Sequence, residues 1–341
     1  MLQFTTTMRK ITLALLAFQA LFLLAILVAG AIVKSNLKVK YPPLGEMVDV
    51  GGYKLHLYCL GSGDPTVVME SGSGETGLSW ALVQPEIARL TRTCVYDRAG
   101  YGWSEASPKP RTGIVIVEEL HTLLQEAGIQ GPVVLVGHSY GGLLARMYAH
   151  QYPDQVAGLV LVDANHEALR ERMAPALRRA YDAVIHQQIQ SLKLSRRLIQ
   201  SGLAALYPAL YPAHPLMPKE AVKLRRSLAV SDVKMADAVQ EELQALETTT
   251  EQARQMQITD LGEVPLVVLR RGLPEPPPSN LQSIFNPALQ KEMEALWAEL
   301  QEELASLSSN GKLVAASQSG HYIQLEQPEM VIDAIRLVLG R

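Results

Sequence analysis

The chain reads as an α/β protein with a mostly parallel sheet, on three observations. Short β-branched apolar runs alternate with longer segments of helical spacing, the order that builds a parallel sheet covered by helices. The run Pro132-Val133-Val134-Leu135-Val136 is apolar throughout, as expected of a strand buried on both faces. The third observation is Gly137-His138-Ser139-Tyr140-Gly141, placed between that run and the helical segment Gly142 to Ala149. A G-x-S-x-G turn bends so sharply that only small residues fit two positions either side of the serine. It holds the hydroxyl clear of the backbone, beside a helix N-terminus.

Each element can be justified in order. Met47 to Leu60 alternates around Gly51-Gly52 as a hairpin, with Lys54 to Leu60 its second strand. Pro65 to Glu70 is a short buried strand, followed by the loop Ser71-Gly72-Ser73-Gly74-Glu75-Thr76-Gly77. Trp80 to Arg89 reads as a helix, Thr93 to Tyr96 as a strand, and Thr112 to Ala127 as an amphipathic helix closed by Gly128. The unit around Ser139 comes next, its helix stopped near Tyr152-Pro153, and then the strand Val156 to Val162. From Glu167 to about Gln257 strand signals vanish and Arg, Gln, Leu and Ala recur at helical spacing. A proline-rich stretch from Tyr207 to Pro218 interrupts this block. Strands resume with Val264 to Leu269, then a proline-rich loop, a helix from Pro287 to Leu307, the strand Lys312 to Ala316 and a helix after Pro328. The expected core is therefore residues 47–165 with 258–341, and residues 166–257 are a helical insertion.

Ahead of the core, Ile11 to Val33 carries no charge and is flanked by Arg9-Lys10 and by Lys34, Lys38 and Lys40. As a helix it spans about 34 Å, slightly more than a hydrocarbon core of roughly 30 Å. Residues 11–33 are expected as a transmembrane anchor, after a flank at 1–10 and before a linker at 34–46. Cleaved signal and buried core helix are the alternatives; Ala29-Gly30-Ala31 would serve as a cleavage site. Basic residues on both flanks leave the orientation open. The 341 residues carry a net charge of −3 and no long basic run, which excludes nucleic acid as the main partner. No H-E-x-x-H or paired-cysteine pattern occurs, so neither metal nor cofactor is expected. The sequence sets no oligomeric state.

From Val48 to Leu339 this arrangement resembles the α/β-hydrolase fold. Besides the Ser139 turn, Asp97-Arg98-Ala99-Gly100-Tyr101-Gly102-Trp103-Ser104 is similar to the D-x-R-G-x-G-x-S loop many members carry after the fourth strand. Ser71-Gly72-Ser73 stands where many have His-Gly-x, and Ser319-Gly320-His321 looks like the loop bearing the catalytic histidine. The resemblance implies an eight-stranded sheet with the insertion as a cap after the sixth strand. It also makes the strands of Cys59 and Cys94 neighbours, so that a bridge between these two cysteines, or a pair of buried thiols, is expected.

The site residues follow from the chemistry a nucleophilic serine needs. Ser139 requires a base, and His321 follows the last strand on a loop able to reach it; His166 is the rival. Chain order in this fold is serine, acid, histidine. The segment after Leu269 holds no aspartate, so Asp163 at the end of Val156 to Val162 is the expected acid, with Glu275 the alternate. Asp163 would otherwise be a helix N-cap. The oxyanion donors map to the backbone N–H groups of Ser73 and Tyr140. The expected activity is hydrolysis of a small-molecule carboxylic ester or other acyl substrate through an acyl-enzyme, in a membrane-anchored enzyme whose catalytic domain is extracytoplasmic. A serine at this position argues against the relatives that use an aspartate nucleophile, haloalkane dehalogenases and epoxide hydrolases. A peptidase or amidase with the same triad, or a slow-turnover ligand sensor, are the alternatives. Leu203 to Leu216, with Tyr207 and Tyr211, suits an acyl or aromatic group or a packed surface helix, and the arginines at 170, 172, 178, 179, 196 and 197 suit anionic headgroups or a solvated face.

Overall fold

The computed structural model describes residues 2–275 and 285–341; the proline-rich loop expected after β7 lies largely outside the described residues. Helix α1 (Leu2–Lys40) leads into β1 (Glu46–Asp49), β2 (Lys54–Leu60), β3 (Val67–Glu70), α2 (Gln84–Ile87), β4 (Thr93–Tyr96), α3 (Gly113–Glu126), β5 (Val133–His138), α4 (Tyr140–Gln151) and β6 (Val156–Val162). Six helices follow: α5 (Leu169–Arg172), α6 (Pro175–Gln200), α7 (Leu203–Leu206), α8 (Lys219–Ser231), α9 (Lys234–Gln244) and α10 (Leu246–Gln255). The chain closes with β7 (Leu266–Arg271), α11 (Pro287–Ser306), β8 (Gly311–Ala316), α12 (Ile323–Glu326) and α13 (Pro328–Val338).

The eight strands form one sheet in the order β1-β2-β4-β3-β5-β6-β7-β8. Both pairings of β2 are antiparallel and the rest are parallel. The continuous apolar runs are explained by burial on both sides. Val133 and Leu135 of β5 pack with α3 and α4, whereas Val134 and Val136 pack with the layer of α12 and α13. Leu159 and Leu161 against Val160 and Val162 repeat the alternation in β6, as a two-residue side-chain period requires. Cys59 and Cys94 stand opposite each other in the β2–β4 ladder and are joined by a disulfide.

Three elements differ from expectation. The helix expected over Trp80 to Arg89 is a single turn, Gln84–Ile87, preceded by the 3₁₀ turn Gly77–Trp80. Pro85 lacks an N–H and its ring crowds the carbonyl four residues back, so an α-helix can only begin at it. Strand β7 runs from Leu266 to Arg271 instead of from Val264 to Leu269, because Pro265 cannot donate to the ladder. Helix α1 extends well beyond the expected anchor, through the first part of the expected linker, and ends before Pro42-Pro43. Its segment Met8–Leu37 is long and apolar enough to cross a membrane.

Candidate active site

The C-terminal ends of the parallel strands deliver the site, as is general for open α/β sheets. Ser139 follows β5 with φ 53° and ψ −119°, a conformation non-glycine residues rarely hold. Its backbone is fixed on both sides: its N–H donates to the Val162 carbonyl at 3.0 Å, and its carbonyl accepts from Asn165 at 2.9 Å. The flanking glycines are needed because of close approach. A Cβ on Gly137 would meet the Gly141 carbonyl oxygen at 2.5 Å, and one on Gly141 would meet the Glu70 carbonyl oxygen at 2.5 Å.

Asp163 ends β6 and is fully buried. Its Oδ2 lies 2.6 Å from His321 Nδ1 and accepts from Arg271 Nη1 at 2.8 Å. Its Oδ1 accepts from the Arg271 backbone N–H at 3.0 Å and from Trp297 Nε1 at 2.8 Å. Burial pushes this carboxyl up, but the Arg271 guanidinium and the His321 hydrogen bond outweigh it and hold Asp163 well below the usual carboxylate range. Asp163 caps no helix; α5 starts only at Leu169. Glu275 also lines the cavity but is exposed; its N–H donates to Glu294 Oε1 at 3.3 Å and its carbonyl accepts from Gln290 Nε2 at 3.1 Å. His166 is turned elsewhere: its Nδ1 accepts from the Ala168 N–H at 3.1 Å, and burial beside Arg146 pulls it down to about 4.

Ser139, His321, Ser73 and Tyr140 all line one cavity of about 1020 Å³ between the sheet and the helical insertion. Tyr140 opens α4, so its N–H has no partner within the helix. The loop carrying Ser73 is held by Arg98 of the Asp97–Ser104 segment. Arg98 donates to the Ser71 carbonyl at 2.6 Å, the Gly72 carbonyl at 2.8 Å and Glu70 Oε1 at 2.6 Å. The same guanidinium reaches Glu242 of α9 at 2.9 Å, tying the insertion to that loop. From the insertion, Leu203, Tyr207 and Tyr211 line the cavity. The arginines face acids or carbonyls instead of a lipid surface at four of six positions: Arg170 pairs with Asp182, Arg172 with Glu299 and Glu303, Arg196 with Asp237, and Arg178 donates to the Glu171 carbonyl.

Four side chains at the site were not singled out from sequence. Arg271 and Trp297 hold Asp163, and Arg271 is itself clamped by Glu294 at 3.0 and 3.1 Å. Beneath Ser139, His138 Nδ1 lies 3.1 Å from Glu75 Oε2, and Nε2 lies 2.9 Å from the His321 carbonyl oxygen. Both partners are acceptors, so only the doubly protonated ring satisfies both. Burial pushes the Glu75 carboxyl up, but the His138 charge and hydrogen bond outweigh it and set it at about 2; the His138 ring is raised by the same pair against its own burial. The one available signal was Glu75 in a loop otherwise made of small residues.

An alpha/beta hydrolase fold family model matches residues 65–192 of the chain. A protein of the AB hydrolase superfamily from Gibberella zeae is 26% identical over 298 residues, covering 81% of this chain and 86% of that one. Other curated relatives match over 24–37% of this chain and 15–45% of their own lengths. Among solved structures, the epoxide hydrolase CorEH superposes with a TM-score of 0.63 at 18% identity, over 86% of this chain and 97% of that one. A thermophilic esterase from Thermogutta terrifontis superposes with a TM-score of 0.54 at 23% identity, over 86% and 96%. At these identities the structural likeness establishes the fold. Together with the family match over residues 65–192, it shows that this chain has the α/β-hydrolase fold. Its class is that of hydrolase enzymes.

Proposed function

We propose that the chain is a serine hydrolase that cleaves a carboxylic ester through an acyl-enzyme on Ser139. One observation carries this reading: Ser139 shares its cavity with an imidazole whose Nδ1 is held 2.6 Å from a buried carboxylate. A hydroxyl is a poor nucleophile near neutral pH, and His321 is the base that takes its proton as Oγ attacks the ester carbonyl. Asp163 accepts the Nδ1–H, which leaves Nε2 as the basic nitrogen, and stabilises the imidazolium. The carbonyl oxygen becomes an oxyanion facing the N–H groups of Tyr140 and Ser73. The ester C–O bond then breaks and His321 gives the proton to the departing alcohol. Water completes the cycle. His321 takes its proton as the oxygen attacks the acyl carbon, the bond to Oγ breaks, the serine recovers the proton, and the carboxylic acid leaves.

Helix α1 anchors the enzyme, and the bridge between Cys59 and Cys94 supports an oxidising, extracytoplasmic compartment for the domain. The experiment is labelling with a fluorophosphonate probe, followed by a panel of short and long acyl esters beside aminoacyl amides. Labelling at Ser139, lost in Ser139→Ala, with turnover confined to esters, is the expected result. Faster turnover of amides makes the enzyme a peptidase or amidase, and an unlabelled but folded protein overturns the catalytic reading.

A further inference from the structure

The cavity that holds Ser139 does not end beneath the insertion. It continues along the C-terminal part of α6 and along α7, where Leu198, Ile199, Leu203, Ala204 and Tyr207 line it. Leu198 and Tyr207 are at the same time 40% and 67% exposed, so the cavity has an apolar opening there, besides the polar one where Ser73, Ser191 and Glu275 are exposed. Leu194, one helical turn before Leu198 on α6, is 59% exposed and extends the apolar rim. Apolar rims of this kind need a partner of matching chemistry.

What stands beside that rim is α1. Its Gly30 is buried against Gly202, at the start of α7, so closely that a Cβ on Gly30 would lie 2.5 Å from the Gly202 carbonyl oxygen. Reciprocally, a Cβ on Gly202 would lie 2.6 Å from the Gly30 carbonyl carbon. One turn further along α1, Lys34 Nζ donates to the carbonyl of Ile199 at 3.1 Å. The contact therefore falls at the end of the apolar segment, where its first lysine appears. The candidate span Met8–Leu37 is 30 residues long. About 20 helical residues cross the hydrocarbon core, so Gly30 and Lys34 sit at the level of the headgroups. Leu198 adjoins Ile199 and Tyr207 follows Gly202 by five residues, so the apolar rim is close in the chain to both contacts with α1, and tyrosine suits this boundary.

We propose that the ester is a membrane lipid whose hydrocarbon chain enters the Ser139 cavity from the bilayer, through the mouth formed by α6 and α7 beside α1. This rests on the serine-hydrolase reading above and adds the substrate class and its route. The chain passes from one apolar medium to another, so entry costs little desolvation, and the carbonyl meets Ser139 at the polar end of the cavity.

The test uses the full chain reconstituted in phosphatidylcholine vesicles that carry a long-alkyl fluorophosphonate with a diazirine at the far end of the chain. The expected result is phosphonylation of Ser139 and, on irradiation, crosslinks from the tail to residues 198–207 and to α1 around Gly30. Labelled Ser139 with tail crosslinks confined to another wall of the cavity, at the buried Met217 and Leu325, overturns the route while leaving the hydrolase reading standing. Absence of label at Ser139 overturns the hydrolase reading and this inference with it. Gly30→Leu, which forces α1 away from α7, is expected to slow labelling by the vesicle-borne probe about tenfold and to leave a short water-soluble fluorophosphonate unaffected. Equal rates for both probes in variant and parent also overturn the route.

Discussion

Glu75 and His138 are 63 residues apart in the chain and meet as a buried ion pair, Oε2 to Nδ1 at 3.1 Å, with the far side of the ring on the His321 carbonyl oxygen. One imidazole thereby joins the loop after β3, the Ser139 turn and the histidine loop. Removing one partner leaves an uncompensated buried charge or an idle buried donor, at a cost of about 3 kcal/mol.

The pH dependence of that pair has a definite sign. Glu75 is depressed to about 2, so its contribution is present above its ordinary value of 4.5 and is lost as pH falls toward 2. His138 is raised, so its contribution is full below 6.5 and fades as pH rises through the raised value. Glu75→Gln should therefore lower the melting temperature most between pH 4.5 and 6.5, with the gap to the parent narrowing on either side. Melting curves across pH check this; a gap independent of pH would show that the pair is not ionised.

Asp163→Asn should reduce ester turnover by about four orders of magnitude, the loss expected when the histidine tautomer is no longer fixed. Glu275→Gln should leave turnover within a factor of about two, as an exposed group away from His321 Nδ1. The reverse ranking in steady-state kinetics would transfer the acid role to Glu275.

Arg271→Met removes the main charge that opposes burial of Asp163. Asp163 is depressed, so its stabilisation is present above its ordinary value of 3.8 and lost as pH falls through the lowered value. Without Arg271 that lowered value rises, and acid unfolding followed by circular dichroism should begin at a higher pH than in the parent.

Ser139→Ala should abolish turnover and leave the melting temperature nearly unchanged, since alanine shares the strain at φ 53°. Ser139→Gly, free of that strain, should be more stable than Ser139→Ala by about 1 kcal/mol. Denaturant melts of the two variants measure the difference.

The bridge between Cys59 and Cys94 closes 35 residues of chain. Loop-closure entropy for that length is worth about 4 kcal/mol at most. Cys94→Ser should cost a large part of that, and alkylation before and after reduction should find no thiols and then two.

The residues that fix the fold announce themselves because their constraints are local. The glycines around Ser139, the two-residue alternation in β5 and β6 and the position of Pro153 act within a few residues of chain. The four-residue length of α2 was equally local but was hidden by an apolar run that outweighed Pro85. The supports of the site are different. Arg271 meets Asp163 across 108 residues and Trp297 meets it across 134, so no spacing rule connects them. Arg271 even stands near the place where an acid was sought, because β7 runs two residues further than its apolar pattern. The contact of Gly30 with Gly202 was invisible for the same reason: a glycine in an apolar helix reads as a cleavage site or a packing point until its neighbour is known.

The guanidinium of Arg98 bears on how the insertion can move. Swinging α9 outward would strip Glu242 from a buried cation that also grips the Ser71 and Gly72 carbonyls. Helix α9 is on this account a fixed part of the roof and not a hinged door, so catalysis should proceed without an outward swing of α9 that slows at high viscosity.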